Sequence, residues 1–174
     1  MRIELVVLEN GKGEFAHVYQ QADLELGDDR ARLCGPASVN GRIRQSGTEV
    51  FVQGNVESCV EVDCDRCLKP IQLPVNSQFS LEYITGSDYE STRTAELSEE
   101  LMSVSVFEGD SIDVDEIVKE QILLTVPTRA LCREDCKGFC PTCGADKNSG
   151  ECNCSEVEID PRWEGLKDLL SGKS

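Results

Sequence analysis

Six of the chain's ten cysteines fall in one short segment, with the spacing Cys132-x3-Cys136-x3-Cys140-x2-Cys143-x8-Cys152-x-Cys154. Within it, Cys140-Pro141-Thr142-Cys143-Gly144 is typical of a zinc knuckle, in which two thiolates lie two residues apart and a glycine lets the backbone curl round the ion. Cys152 and Cys154 offer a second pair, and four sulfurs complete a tetrahedral site with no open position. We therefore predict a closed, structural zinc site made of Cys140, Cys143, Cys152 and Cys154.

This grouping leaves Cys132 and Cys136 without partners. Another knuckle-like pair, Cys64-Asp65-Arg66-Cys67, lies at the tip of a predicted hairpin. We predict a second tetrahedral site, formed by Cys64, Cys67, Cys132 and Cys136, that clamps the tail of the chain onto the sheet. A different division of the eight ligands between two ions is also compatible with the spacing. Cys34 and Cys59 remain, and we expect both to be core thiols.

Paired cysteines have two other uses in proteins. A redox dithiol normally sits at a strand-to-helix junction, where the amino end of the helix lowers the pKa of one thiol. The charged segment 133–139, and no apolar strand, precedes Cys140, which disfavours thiol–disulfide exchange. An iron–sulfur cluster also takes four cysteines, but the spacing here differs from ferredoxin spacings, so zinc is the favoured ion.

The acidic residues of the chain are unevenly placed. The formal net charge is −16, and the segment from Glu82 to Glu120 holds twelve acidic residues against Arg93 and Lys119. Such a surface repels phosphate, which disfavours broad docking on nucleic acid and suits a basic protein partner. A solvated face that serves only solubility is the alternative.

Basic residues lie in or beside the cysteine segments, at Arg66, Lys69, Arg129, Arg133, Lys137 and Lys147. An ion held by four thiolates leaves excess negative charge, and two such sites need local compensation. Neutralising the thiolates is therefore the favoured role of these cations. Contact with RNA phosphate is the alternative, and it would make the cysteine module an RNA-binding one.

Other features of the chain argue against enzymes and against membranes. There is no glycine-rich phosphate-binding loop, and the single histidine, His17, lies far from the cysteine clusters. A closed zinc site cannot activate water, so we expect no enzymatic activity. Charges interrupt the amino terminus too early for a secretory segment, and no run approaches the roughly 20 apolar residues that span a bilayer. We expect a cytoplasmic protein, in which cysteines bind metal rather than form disulfides.

A sheet has to position the first cysteine pair. Apolar residues alternate with period two from Ala37 to Ile84, and turns are predicted at Ser46-Gly47 and from Cys64 to Pro70. We predict an antiparallel β-meander or small barrel-like sheet. Earlier strands near Ile3–Leu8 and Phe15–Tyr19 should join it, and a short strand is predicted at Val104–Phe107. The acidic stretch 85–103 is predicted to be a loop.

One helix should cover this sheet. Asp113 is its predicted N-cap with Glu116 three residues on, Val114, Ile117, Val118 and Ile122 fall near one face, and Pro127 ends it. The predicted fold class is thus α+β, with a β domain and covering helix at 1–128 and a cysteine-rich, zinc-binding module at 129–174. Asp160-Pro161 should begin a short terminal helix that docks through Trp163.

Five separated motifs resemble, in the same order, those of the YceD family, whose members are called large ribosomal RNA subunit accumulation proteins. The resemblance spans roughly Val50 to Leu170. The motifs are Cys64-Asp65-Arg66-Cys67-Leu68; Gly109-Asp110-Ser111-Ile112-Asp113-Val114; Glu120-Gln121-Ile122-Leu123-Leu124-Thr125-Val126-Pro127; Cys136-Lys137-Gly138-Phe139-Cys140-Pro141-Thr142-Cys143-Gly144 with Cys152-Asn153-Cys154; and Asp160-Pro161-Arg162-Trp163.

The resemblance implies a part in building up large-subunit ribosomal RNA, in the bacterial cytoplasm or in plastids, without enzymatic activity. Genes of the family typically neighbour that of L32, a small basic ribosomal protein, which makes L32 or a large-subunit precursor a candidate partner. Together with the residues, it favours an assembly or stabilising factor that binds a ribosomal protein or precursor particle through the acidic surface from Glu82 to Glu120. Direct RNA binding by the cysteine module is the alternative, and thiol–disulfide exchange is a third hypothesis.

Overall fold

The computed structural model describes residues 1–86, 104–107, 109–150 and 152–154, together with Arg162. Most of the predicted acidic loop and the predicted terminal helix lie outside the described residues. The described elements are β1 (Arg2–Glu4), a 3-10 turn (Leu5–Val7), β2 (Lys12–Tyr19), β3 (Ala31–Leu33), β4 (Ala37–Ser46), β5 (Glu49–Asp63), β6 (Pro70–Thr85), β7 (Val104–Phe107), β8 (Ser111–Asp113) and α1 (Val114–Thr125).

The predicted meander is confirmed by β4, β5 and β6, which pair antiparallel in sequence order. Gly47 turns between β4 and β5 with φ of +65°, a conformation that favours glycine. The large sheet runs in the order β2-β4-β5-β6-β7, and β7 pairs parallel to β6. The strands in the described part of the chain close no barrel, because β2 and β7 end the order, so the barrel-like alternative is wrong.

The amino-terminal strand does not join this sheet as predicted. β1 ends at Glu4, just before the 3-10 turn, and it pairs with β8 in a separate two-stranded sheet. The predicted strand near Phe15–Tyr19 is confirmed within β2. β3 was not predicted; it pairs antiparallel with β5 and brings Leu33 opposite Val60.

The missed strand explains a correction at two cysteines. Continuing the antiparallel register past Leu33 and Val60 brings Cys34 opposite Cys59, with Cα atoms 5.4 Å apart, and a disulfide joins them. Both residues are half-buried. The expectation that they are core thiols is therefore wrong. A bridged pair is not what a reducing compartment favours, so the cytoplasmic location stays a prediction.

The covering helix is confirmed, and the Asp113 side chain caps it by accepting a 3.0 Å hydrogen bond from the Asp115 N–H. Its apolar stripe belongs to the same buried core as Val52 and Val56 of β5. Ser77 of β6 donates to the oxygen of buried Gln121 at 3.1 Å, which gives that oxygen a partner inside the core. In the part of the chain that the structure describes, no helix is both long and apolar enough to traverse a membrane.

Candidate metal centres

The structure gathers the eight predicted ligands into two groups. The sheet–tail cluster consists of Cys64, Cys67, Cys132 and Cys136, and the tail cluster consists of Cys140, Cys143, Cys152 and Cys154. In each cluster the four sulfur atoms all lie within 4.8 Å of one another. The two groupings are those that the spacing favoured, and each could hold a metal ion. That these cysteines bind metal stays a prediction.

The sulfur separations suit a tetrahedral ion. A Zn–S bond of about 2.3 Å places tetrahedral sulfurs about 3.8 Å apart. In the sheet–tail cluster, Cys64 Sγ lies 3.9 Å from Cys136 Sγ, and Cys67 Sγ lies 3.6 Å from Cys132 Sγ. Both separations are far above the roughly 2 Å of a disulfide. An all-sulfur donor set is typical of zinc or iron–sulfur sites, and four thiolates on one zinc ion form a structural site.

Both knuckles have the same backbone. In the loop between β5 and β6, Leu68 N–H donates to Cys64 O at 2.9 Å and Cys64 N–H donates to Lys69 O at 2.9 Å. In the tail, Gly144 N–H donates to Cys140 O at 2.9 Å and Cys140 N–H donates to Ala145 O at 2.8 Å. The residue after the second cysteine is left-handed in both, with φ of +52° at Leu68 and +72° at Gly144. Two hydrogen bonds and one left-handed residue thus shape each pair of sulfurs.

The thiols of the sheet–tail cluster differ in pKa. Burial raises the pKa of Cys64, but N–H groups of Cys132, Arg66 and Cys67 outweigh it and lower that pKa to about 6. The pKa of Cys132 rises to about 12 because its sulfur loses water and faces the other thiols. Four thiolates this close repel one another, so without a cation some sulfurs keep their protons. A divalent ion would allow all four to ionise.

The tail cluster shows the same division. Backbone N–H groups of Cys143 and Thr142, followed by the thiol of Cys152, lower the pKa of Cys140 to about 6. The Cys143 thiol, with burial and Cys140, raises the pKa of Cys154 to about 12. Each cluster is therefore a proton-sharing group whose charge balance a divalent cation would change.

The sheet–tail cluster also joins the loop between β5 and β6 to the tail of the chain. Asp65 N–H donates to Ala130 O at 2.9 Å, and Ala130 N–H donates back to the Asp65 carboxylate at 2.6 Å. Phe139 N–H donates to Arg66 O at 3.2 Å, next to Gly138, which has φ of +68°. A Cβ on Gly138 would lie 2.6 Å from Arg66 O, so only glycine allows this approach. The tail is thus fastened to the loop by backbone contacts as well as by sulfur.

Three polar residues that were not predicted as site residues contact the cysteine segments: Asn148, Asp146 and Asp65. Asn148 donates to Cys136 Sγ at 3.5 Å and to the Asp146 carboxylate at 2.7 Å, and its oxygen accepts from Lys137 N–H at 2.8 Å. It therefore supports Cys136 of the sheet–tail cluster. Its only sequence feature is a turn-forming Asn-Ser-Gly, which gives no sign of a contact with sulfur twelve residues away.

Three of the six basic residues near the cysteines are held by side-chain contacts. Lys69 pairs with Asp146 at 2.9 Å, and this contact raises the pKa of Lys69 and lowers that of Asp146 to about 2. The Arg66 guanidinium donates to Cys136 O, and Arg133 donates to Asn148 at 2.9 Å. These contacts support the interpretation that the cations organise and neutralise the cysteine segments.

Comparison with known proteins adds a family and several relatives. The sequence model of a family described as large ribosomal RNA subunit accumulation protein YceD matches residues 52–170. An uncharacterized protein of Mycobacterium tuberculosis is 32% identical over 133 residues, which cover 76% of this chain and 61% of that protein. The uncharacterized protein YlbN of Bacillus subtilis is 27% identical over 158 residues, 90% of this chain and 87% of that protein.

A plant protein is also similar in sequence to part of this chain. The Arabidopsis thaliana protein named large ribosomal RNA subunit accumulation protein YCED homolog 1, chloroplastic, is 32% identical over 62 residues, 36% of this chain and 19% of that protein. The chain spans about 61% of the length of the mycobacterial relatives. No solved structure matches this chain.

Proposed function

The chain belongs to the YceD family of large ribosomal RNA subunit accumulation proteins, and from this premise we propose that it is a non-enzymatic accessory factor for accumulation or assembly of that RNA. In this proposal it acts in the cytoplasm and binds a basic ribosomal protein, such as L32, or a precursor particle through its acidic surface. Zinc is the proposed ion of both clusters, where it holds the tail against the sheet and takes no part in chemistry.

One observation on the described residues supports the proposed acidic docking surface. A groove of about 440 Å³ lies between β7 and α1, and Asp113, Glu116, Glu120, Tyr83 and Phe107 contribute to its lining. The Asp113 carboxylate caps α1 and also pairs with Arg2 at 3.0 Å. Glu116 and Glu120, one helical turn apart, are exposed, and neither has an ion pair within the described ranges. These two carboxylates are therefore available to a partner's cations.

The electrostatics of Tyr83 support a negative groove. Burial, together with the charges of Glu120 and Glu116, raises the pKa of this phenol to about 12. Both carboxylates thus lie near enough to this ring to act on its charge. A groove lined by the Tyr83 and Phe107 rings and by carboxylates suits a Lys- or Arg-rich segment, whose aliphatic stems pack on rings while their charged heads meet the acids.

The proposal predicts that Glu116→Gln/Glu120→Gln weakens binding of a purified basic ribosomal protein such as L32. Isothermal titration calorimetry at low salt measures the effect, and we expect at least a roughly five-fold loss, as for two desolvated charge contacts. Glu25→Gln/Asp29→Asn is the matched control, because it removes the same charge from exposed positions far along the chain.

A cellular measurement connects this surface to the RNA. Cells depleted of the protein should contain less large-subunit than small-subunit ribosomal RNA, and the Glu25→Gln/Asp29→Asn variant should restore the ratio. The groove variant should restore it poorly. Equal affinity and equal rescue by the two double variants would refute the acidic groove as the docking surface.

A further inference from the structure

The solvent face of the large sheet carries cations, amides and an aromatic ring at one corner. Cross-strand partners point to the same face of a sheet, and the register pairs Lys12 with Arg44 and Arg44 with Phe51. The next row pairs Arg42 with Gln53. The alternate residues between them, such as Ile43, are buried, so this row faces away from the core.

The cations of this corner are accessible. Lys12, Arg42 and Arg44 are exposed, and across the described ranges Lys12 and Arg44 have no ion pair. Arg42 meets Glu14 at 3.3 Å, but both side chains are about four-fifths exposed, so this pair can exchange for another anion at little cost. Three of the chain's 17 basic residues therefore converge here without a structural duty like that of Lys69 or Arg66.

Phe51 is the second unusual feature of the corner. It is half-buried on the solvent face, between Arg44 and Glu82 in neighbouring strands. Beside it lies a cavity of about 680 Å³ whose lining includes Lys12, Arg42, Arg44, Phe51 and Gln53, with Glu9 and Glu14 as carboxylates. Asn40 and Asn55 continue the same face in the following row. The Asn55 amide donates to Glu57 at 3.1 Å, so exposed Asn40 is the amide available next to the cations.

We propose that this corner of the sheet, centred on Phe51, Arg42 and Arg44, binds a short single-stranded RNA segment. Nucleobases stack on exposed rings and guanidinium planes, amides bond to base edges, and unpaired cations contact phosphates. An acidic peptide would need only the cations and would leave the ring and the amides unused. Double-stranded RNA would bring many phosphates close to a chain of net charge −16, whereas a few nucleotides meet three cations and two carboxylates in the cavity.

The proposed site does not rest on the acidic groove, because the two surfaces use different residues. Glu116 and Glu120 belong to α1, whose buried residues pack into the core on the inner side of the sheet. A factor with both surfaces could hold a basic protein and a segment of RNA at once. Loss of either interaction alone would leave the other measurable.

Fluorescence anisotropy with a labelled single-stranded RNA 12-mer and the full chain tests the site. Phe51→Leu keeps an apolar side chain but removes the stacking surface, so we expect affinity to fall by about 5-fold to about 100-fold. Two or three phosphate contacts predict a slope of log Kobs against log[salt] of about −1.4 to −2.1. Arg44→Gln should make that slope shallower by about 0.7.

Arg32→Gln is the matched control, since Arg32 is also an exposed strand arginine but is paired with Glu61 at 3.1 Å. It should leave RNA affinity and slope unchanged, as should Glu116→Gln/Glu120→Gln. Circular dichroism checks that each variant is folded. Equal loss in Arg44→Gln and Arg32→Gln, or RNA binding unaffected by Phe51→Leu, would overturn the site. Binding of a polyglutamate peptide as tight as that of RNA would overturn it too, in favour of an acidic protein partner.

Discussion

The two cysteine clusters share one knuckle but differ in what surrounds the sulfurs. Cys64, Cys67 and Cys136 of the sheet–tail cluster are buried, and its ligands come from segments more than sixty residues apart. In the tail cluster only Cys140 is buried, and all four ligands lie within fifteen residues. A shared local geometry therefore serves two tasks, because one cluster closes a long loop and the other shapes a short one.

Removing a ligand from each cluster gives the largest expected contrast. Cys64→Ser should lower the metal content from two ions per chain towards one and reduce the free energy of unfolding by more than about 3 kcal/mol, because metal binding is coupled to folding. Cys143→Ser should remove the other ion with a smaller loss, since its cluster holds fewer elements together. Elemental analysis and thermal unfolding measure both effects. Equal losses of stability would erase the proposed difference, and unchanged metal content in either variant would refute that site.

Chelation should separate the clusters by rate. Cys143 is exposed and Cys152 and Cys154 are half-buried, so a chelator reaches the tail cluster by smaller opening motions. We expect two phases of metal release that differ by roughly ten-fold or more, as each 1.4 kcal/mol of opening free energy changes the open population ten-fold. A colorimetric zinc indicator records the release. The fast phase of metal release should be absent in Cys143→Ser. If it persists in that variant, the fast phase does not come from the tail cluster.

Two glycines test whether the backbone contact at Arg66 matters. Gly138 and Gly144 have similar φ values of +68° and +72°, but a Cβ on Gly144 would meet nothing within 4 Å. Gly144→Ala should therefore cost only the conformational strain, about 1 kcal/mol. Gly138→Ala adds a clash with Arg66 O and should cost at least about 2 kcal/mol in urea unfolding. Equal costs would mean that the tail shifts freely away from the loop.

The smallest effect is expected at the position that differs between the knuckles. Leu68 holds the left-handed conformation that Gly144 holds in the tail, and it is 64% exposed. Leu68→Gly should relieve strain that exceeds the entropic cost of glycine, with a net gain of about 0.5 kcal/mol. This corresponds to a rise of roughly 1–2 °C in Tm. Leu68→Ala keeps the strained conformation and should not reproduce the gain.

Much of the fold was predictable because its patterns are local. Alternation from Ala37 to Ile84 predicted β4, β5 and β6, and the cap at Asp113 predicted the start of α1. The spacing also favoured the grouping of the eight cysteines while leaving another division open, since closely spaced pairs can bind one ion as a unit. Such periodicities and spacings are set within a few residues of chain, so the sequence shows them directly.

The remaining features depend on which distant segments meet. The Cys34–Cys59 disulfide needed the pairing of β3 with β5, and the approach of Asn148 to Cys136 needed the folded tail. The same holds for the corner at Phe51, whose neighbours come from β2, β4 and β6. The sequence by itself determined the three long strands β4, β5 and β6, the helix and the sulfur pairs, because these patterns depend on neighbouring residues. Only the tertiary structure decided the register and the contacts between segments, because these depend on loop closure and on competition among many possible partners.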